Sequence, residues 1–471
     1  MKLVHKSLFI FSTLALTACS LAPDYQQPQS SVLTSQQTNE YSTVNWQDFY
    51  QDKQLQQLIA LALHNNKSLQ ISALQLQQLQ ANYQIEQSKS LPDINLSTAG
   101  TRQLNSQSST TAAFMPKYSN SYSASVGFSA YELDFFNRIG NLKENALAQF
   151  TAGQFAQTTL EQSLAAQVAS LYFDYQAGLF KIDLQQQVLA SAQQKFAIAH
   201  KQYDQGLITS LDYRQAQSNQ QSITINLKQL QQTNVATFNQ LKQLVGYNNL
   251  DALNKISEQF SLSQLQQLPA NIQSQVLLAR PDVAEAEQKI KAANANIGVA
   301  RAAFFPSISL TSSLGFASQD LSDLFNANSQ TWSFSPQLNL PIFNHGRLQA
   351  QQQIAELQQQ AEIIQYQNVV ETAFTELNTR LSAQQALAEQ LELQQQVVDN
   401  YQQQVKLSEL RLTQGLEDPL TYQEFKQLLL SQQQSLAELE LAYLKNQISL
   451  FKTIGGQYTQ VDQQLQLALV H

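Results

Sequence analysis

SYSASVGFSAYEL, Ser121 to Leu133, alternates between two kinds of side chain. Tyr122, Ala124, Val126, Phe128 and Ala130 fall on one face, and Ser123, Ser125, Gly127 and Ser129 on the other. Period-2 alternation of this kind predicts a β-strand with one apolar face and one small, polar face. Most of the surrounding chain reads as helix, so the fold turns on what covers the apolar side.

Three further stretches share the pattern. Ile94, Leu96 and Thr98 alternate with Asn95, Ser97 and Ala99 after Pro92. Pro306 precedes Ile308, Leu310, Leu314 and Phe316, which alternate with Ser307, Ser309, Ser313 and Gly315. Trp332, Phe334, Leu338 and Leu340 alternate with Ser333, Ser335, Gln337 and Asn339. Each stretch is about the 9–11 residues that a tilted strand needs to cross a bilayer. A small soluble sheet with its apolar face on a core is the alternative; against it, no helical segment is set aside to cover those faces, and lipid is the expected cover. An open sheet in lipid strands its edge amides and carbonyls, and four strands are too few to close a barrel. Copies of the chain must therefore share one: two would supply eight strands packed with side chains, and three would supply twelve and room for a channel.

The four strands belong to a duplicated unit. YDQGLITSLDYRQ from Tyr203 answers LTQGLEDPLTYQE from Leu412, with Gly206, Leu211, Tyr213 and Gly246 matching Gly415, Leu420, Tyr422 and Gly455. Pro92, Ile94 and Leu96 answer Pro306, Ile308 and Leu310, and ELDFFN (Glu132–Asn137) answers NLPIFN (Asn339–Asn344). Each unit reads as helix, strand pair, long helix, tight turn, helix. Helices are expected over 65–91, 141–205 and 207–246. The long one would span roughly 100 Å at about 1.5 Å per residue, beside two shorter ones laid end to end. Leu377, Leu391, Val398, Val405 and Leu412 lie at coiled-coil intervals.

Composition narrows the function. The 471 residues carry a net charge of −8, which argues against nucleic acid as a partner. Charged residues make up only 13%, with glutamine in their place on helix surfaces, while 43% of residues are hydrophobic and recur at helical spacing. The chain begins MKLVHKSLFIFSTLALTACS: Lys2 and Lys6 precede an apolar run too short to span a membrane, as in a secretory signal. Leu16-Thr17-Ala18-Cys19 resembles a bacterial lipobox, making Cys19, the sole cysteine, the expected lipid attachment. Ser20 follows, where an aspartate would resemble an inner-membrane retention signal; the outer membrane is implied. Nothing looks catalytic. His5, His64, His200, His345 and His471 are scattered, and no G-x-S-x-G, H-E-x-x-H or Walker A pattern occurs. Glu132 and Asp134 stand at a strand end, a place for joining a strand to the next helix and not for acid–base work. No cofactor or metal is expected.

These blocks resemble the TolC-like outer-membrane efflux proteins, specifically the lipoprotein factors of RND-type tripartite pumps. The resemblance rests on CSLAPDY at Cys19, Trp46 with Phe49, LLARPDVAEAEQKIKAANANIGVARAAFFPSISL (Leu277–Leu310), YELDFFNRIG, PIFNHGRLQA and GLITSLDYRQAQ. It implies a mainly α fold with a membrane β-barrel: a homotrimer whose twelve strands cross the outer membrane and whose long helices form a periplasmic tunnel. It implies a passive exit duct for small molecules, not an enzyme, docked to a periplasmic adaptor and an inner-membrane RND-type transporter. A protein-export duct and a non-channel coiled-coil scaffold are the alternatives.

The expected layout is a signal peptide over 1–18, a lipidated segment over 19–60 and repeat 1 over 61–250. A connector over 251–275, repeat 2 over 276–456 and a tail over 457–471 complete it. By position, the family's periplasmic aperture falls on Leu420 and Glu424, and its tip turns on Gly206-Leu207 and Gly415-Leu416. Glu417-Asp418-Pro419 stands where members vary in a basic residue. Tyr122, Val126, Phe128, Ile308, Leu310, Trp332 and Phe334 are the expected lipid-facing strand residues.

Overall fold

A computed structural model describes residues 20–28, 45–105, 116–246, 264–268, 272 and 274–456. Cys19, the signal segment and the tail over 457–471 lie outside the described residues. The elements run α1 (Trp46–Phe49), α2 (Lys53–Asn65), α3 (Lys67–Ser88), β1 (Ile94–Leu104), β2 (Tyr118–Leu133), α4 (Arg138–Asp204) and α5 (Ser210–Val245). They continue with α6 (Pro281–Ala302), β3 (Ser307–Ser318), β4 (Gln330–Asn339), α7 (Arg347–Thr413) and α8 (Pro419–Thr453).

The chain forms two compact units, and each draws on both repeats. The first takes Gln75–Gln154 and Glu285–Gln367 with the N-terminal segment; the second takes Ser30–Leu74, Phe155–Ala284 and Asn368 onward. The duplicated halves are thus interleaved, each contributing its strand pair to one unit and its helical turn to the other.

In the first unit the strands form one antiparallel sheet in the order β1-β2-β3-β4. Rows of directly paired residues cross it: Leu96–Val126–Leu314–Trp332, and Ile94–Phe128–Ser312–Phe334. The register shifts between Phe128 and Tyr131. This corrects one expectation: Ala130 does not continue the apolar face. It takes a left-handed φ of 53° and donates its N–H to Thr311 Oγ1 at 3.1 Å. The bulge moves Tyr131 and Leu133 onto the apolar face, opposite Leu310 and Ile308. At the foot of β2, Glu132 accepts from Arg138 Nε at 2.8 Å and Nη2 at 2.5 Å, and Asp134 accepts from the Gly140 N–H at 2.8 Å. Both carboxylates fix the start of α4.

The described N-terminal segment lies along α6. Ser20 Oγ donates to Asn141 Oδ1 at 3.2 Å, Asn294 Nδ2 to the Pro23 carbonyl at 2.7 Å, and Arg301 Nη1 to the Leu21 carbonyl at 3.4 Å. Tyr25 sits under Lys291, and burial together with the adjacent Glu287 carboxylate raises the phenol above its ordinary range.

The second unit has the larger apolar core. Phe49 stacks on Phe451 with centroids 4.1 Å apart, and Tyr50, Leu55, Leu58, Ile59, Tyr172, Phe173 and Leu241 are fully buried around them. Truncating either stacked ring would cost about 3–5 kcal/mol. Asp52 caps α2 by accepting from Gln54 and Leu55 N–H, and it also receives the Tyr172 hydroxyl. The helix expected from Asn65 starts earlier and is broken: α2 begins at Lys53, inside the segment assigned to the lipidated arm. Asn66 interrupts it because its Oδ1 accepts from Ser68 N at 2.9 Å and Leu69 N at 3.4 Å, starting α3 afresh. Buried Arg280 joins Asp282, Glu376 and the Thr453 carbonyl. Of the heptad residues, Leu377 and Val398 are buried and Leu391, Val405 and Leu412 are half-buried.

Candidate functional site

Within the second unit, two tight turns each end a 67-residue helix. Gly206 has φ +71° and Gly415 φ +72°, the left-handed conformation that lets a helix C-terminus reverse. At the first, Leu207 N–H bonds the Gln202 carbonyl at 2.8 Å; at the second, Leu416 N–H bonds the Arg411 carbonyl at 2.9 Å. Leu207 and Leu416, two-thirds exposed, are thereby left apolar and solvent-facing.

The flanks differ. Thr209 and Asp212 form a capping box that starts α5, and the Thr209 hydrogen bonds hold the Asp212 carboxyl below its ordinary range. Tyr213 stacks on Tyr203 at 5.0 Å, bracing the first turn. At the second turn, Arg411 Nε pairs with Glu417 Oε2 at 3.2 Å, Asp418 is the N-cap of α8 and Pro419 its first residue.

Just beyond, α8 packs on α4 through polar groups. Ser191 Oγ donates to Gln423 Oε1 at 2.6 Å, and Gln423 Nε2 donates to Gln194 Oε1 at 2.9 Å. Leu420 is half-buried. Glu424 is exposed and accepts from Lys195 Nζ at 3.2 Å. The family resemblance points to Leu420 and Glu424 but could not reveal Lys195, which lies 229 residues away and belongs to no motif.

In the first unit, Tyr122, Val126, Phe128, Ile308, Leu310, Trp332 and Phe334 share one face of the sheet by register. Trp332 is 76% exposed, and Val126 and Phe334 are about half exposed, so among the described residues no helix is packed over these side chains. The opposite face carries Asn95–Gly127–Ser313–Ser333 and Ser97–Ser125–Gly315–Thr331. Gly127 and Gly315 are there because a Cβ at either would meet neighbouring-strand backbone, at 2.1 and 2.2 Å. Among the described residues, β1 and β4 each have one unpaired edge. Among the described residues, no cluster of three or more His, Cys, Asp or Glu side chains is placed to hold a metal.

The outer membrane efflux protein family matches residues 58–247 and 272–456. The chain is 35% identical over 480 residues to the probable efflux pump outer membrane protein TtgC of Pseudomonas putida, covering 99% of both chains. It is 36% identical over 461 residues to the cation efflux system protein CusC of Escherichia coli, covering 95% of this chain and 97% of that one. Its fold superposes with a TM-score of 0.81 on the open state of the Neisseria gonorrhoeae MtrE outer membrane channel, at 29% identity over 93% of this chain and 98% of that one. The family match, the sheet with one bare apolar face and the paired helical turns agree: the chain belongs to the outer membrane efflux protein family.

Proposed function

We propose that three copies of this outer-membrane efflux channel pair β4 of one chain with β1 of the next, closing a twelve-stranded barrel around an aqueous lumen. The observation that carries this is the four-stranded sheet itself, with two unpaired edges, an uncovered apolar face, and a small polar face whose glycines permit tight strand approach. Lipid requires that every edge group be paired, and closure with sister chains meets that requirement. Cys19 carries the acyl anchor, and the strap from Ser20 to Tyr25 along α6 ties that anchor to the strand-bearing unit.

The channel is the passive exit duct of a tripartite efflux system and does no chemistry of its own. Its periplasmic turns, with exposed Leu207 and Leu416, dock an adaptor, and an inner-membrane RND-type transporter supplies the energy. Leu420 and Glu424 line the aperture: three leucines narrow it and three carboxylates repel one another. Because Glu424 rests beside Lys195 in each chain, that repulsion grows when the pairing is broken, which couples opening to movement of α8 along α4.

The test is mass measurement of the detergent-extracted complex together with its conductance in planar bilayers. A heat-resistant trimer that conducts is expected, and L420A, which widens the constriction and keeps the repelling carboxylates, should raise single-channel conductance. A monomer whose sheet is protected without lipid would refute the assembly, and unchanged conductance in L420A would refute the aperture.

A further inference from the structure

Beyond the Glu132–Arg138 pair at the foot of β2, charge is confined to one end of each strand hairpin. From Ile94 to Tyr131 the only charged residues are Arg102 and Lys117; from Ser307 to Leu340 they are Asp320 and Asp323. Both pairs lie at the ends distant from the helices, since β1 is entered from α3 and β2 leaves into α4 at the opposite end. In an outer-membrane barrel with periplasmic helices, that end faces the exterior.

Arg102 lies on the apolar face. It occupies the same side of β1 as Ile94, Leu96 and Thr98, one row beyond the Gly100–Tyr122 pair. From the Leu133–Ile308–Leu338 row to that pair the face is predominantly apolar. Some ten residues of strand at about 3.3 Å each, tilted by about 40°, match the ~25 Å apolar belt of such barrels. Arg102 therefore stands at headgroup depth. Beside it, its guanidinium lies 5.0 Å from the Tyr118 ring centroid, and Lys117 Nζ lies 5.8 Å from the same centroid. All three side chains are exposed, and among the described residues neither cation has a carboxylate partner. The Ser106–Met115 connection contains no acidic residue.

Two cations gathered on one aromatic ring, neither ion-paired among the described residues, constitute a receptor for an anion at the lipid surface. We propose that Arg102, Lys117 and Tyr118 bind the phosphate of an outer-leaflet lipid headgroup, so that each chain seats one phosphorylated lipid against the barrel. The arginine fork engages the phosphate oxygens, the lysine adds charge, and the tyrosine ring lies at the belt edge under the sugar or glycerol portion. The acyl chains run down the Tyr122–Val126 face. This rests on the barrel reading above.

The test uses the full chain purified in dodecyl maltoside and titrated with lipid A, a bis-phosphorylated glycolipid, in mixed micelles. Bound lipid is counted by native mass spectrometry, with phosphatidylcholine as the zwitterionic comparison. With each cation contributing about a five-fold preference at the membrane surface, R102Q/K117Q should bind lipid A on the order of 25-fold more weakly. R347Q, at the opposite end of the strands, should bind like wild type. Equal retention by R102Q/K117Q, or full displacement by millimolar inorganic phosphate, would overturn the proposal. So would loss of trimer heat resistance in lipid-free detergent shared by R102Q/K117Q and D320N/D323N, since the cations would then pair with a sister chain. A trimer that conducts but ignores lipid A fails this proposal alone, whereas a chain that never forms a conducting oligomer fails the barrel reading as well.

Discussion

Gly127→Ala puts one methyl group where the sheet leaves no room for it. Its Cβ would lie 2.1 Å from the Ser312 carbonyl oxygen and 2.7 Å from Ser313 Cα, where ordinary contacts begin at 3.4 Å. The obstacle is backbone of the neighbouring strand, so no rotamer change relieves it and β2 must move away from β3. Gly315 repeats the geometry in reverse, 2.2 Å from the Ala124 carbonyl oxygen and 2.5 Å from Ser125 Cα. Overpacking of this kind costs about 1–3 kcal/mol per site, hence about 3–9 kcal/mol across three copies. Gly100 is the internal comparison, because its Cβ would meet only the Tyr122 ring at 3.3 Å, a side chain that can turn. The assay is the temperature at which the detergent-resistant trimer dissociates on a semi-native gel, with β-signal by circular dichroism as a check on folding. G127A and G315A should each lower that temperature by many degrees, and G100A should barely change it. If G127A dissociates with wild type, or G100A falls as far as G127A, the small face is not the tightly curved inner side of a closed sheet.

Lys195→Gln frees Glu424. An exposed pair of this kind is worth about 0.2–1 kcal/mol per chain, so the open fraction should rise several-fold at low ionic strength, and the gain should vanish near 1 M salt. A salt-independent change in conductance would count against a charge-based aperture. Burial raises the Glu161 carboxyl above its ordinary range, only partly opposed by the Gln157 hydrogen bond, and burial alone raises Glu440. A carboxyl whose folded value exceeds its unfolded one loses stability as pH rises between the two. Glu161→Gln should therefore melt higher than wild type at pH 7.5 and no higher at pH 4, as read by thermal denaturation. Gly206→Val has open space for its side chain but must hold φ near +71°, so it should cost about 1–2 kcal/mol as backbone strain. Faster amide exchange confined to the flanking helix ends would show it; unchanged exchange would refute the strain.

Much of this architecture is legible in the primary structure, because it is written in local periodicities. A strand with one lipid face must alternate, a long helix must stop at a residue able to adopt positive φ, and a duplication repeats both signals at a fixed spacing. That is why Gly206, Gly415 and the four strands emerge from residue order alone. The bulge was legible too, in the step from Val126 and Phe128 to Tyr131 and Leu133, although simple alternation carried through Ala130 concealed it. The break at Asn66 left a fainter trace, because asparagine within a helical pattern is ordinary until its side chain is seen to cap the next turn.

Residue order thus determined the element types, the duplication, the apolar and polar strand faces, and the need for sister chains, since each follows from short-range patterning and from the cost of unpaired backbone in lipid. Tertiary structure alone decided that the two repeats interleave, that Phe49 stacks on Phe451, that Lys195 partners Glu424, and that Arg102 and Lys117 share one tyrosine ring. Those contacts join residues far apart in the chain or across a turn, and their energies depend on distance and burial, which no periodicity records.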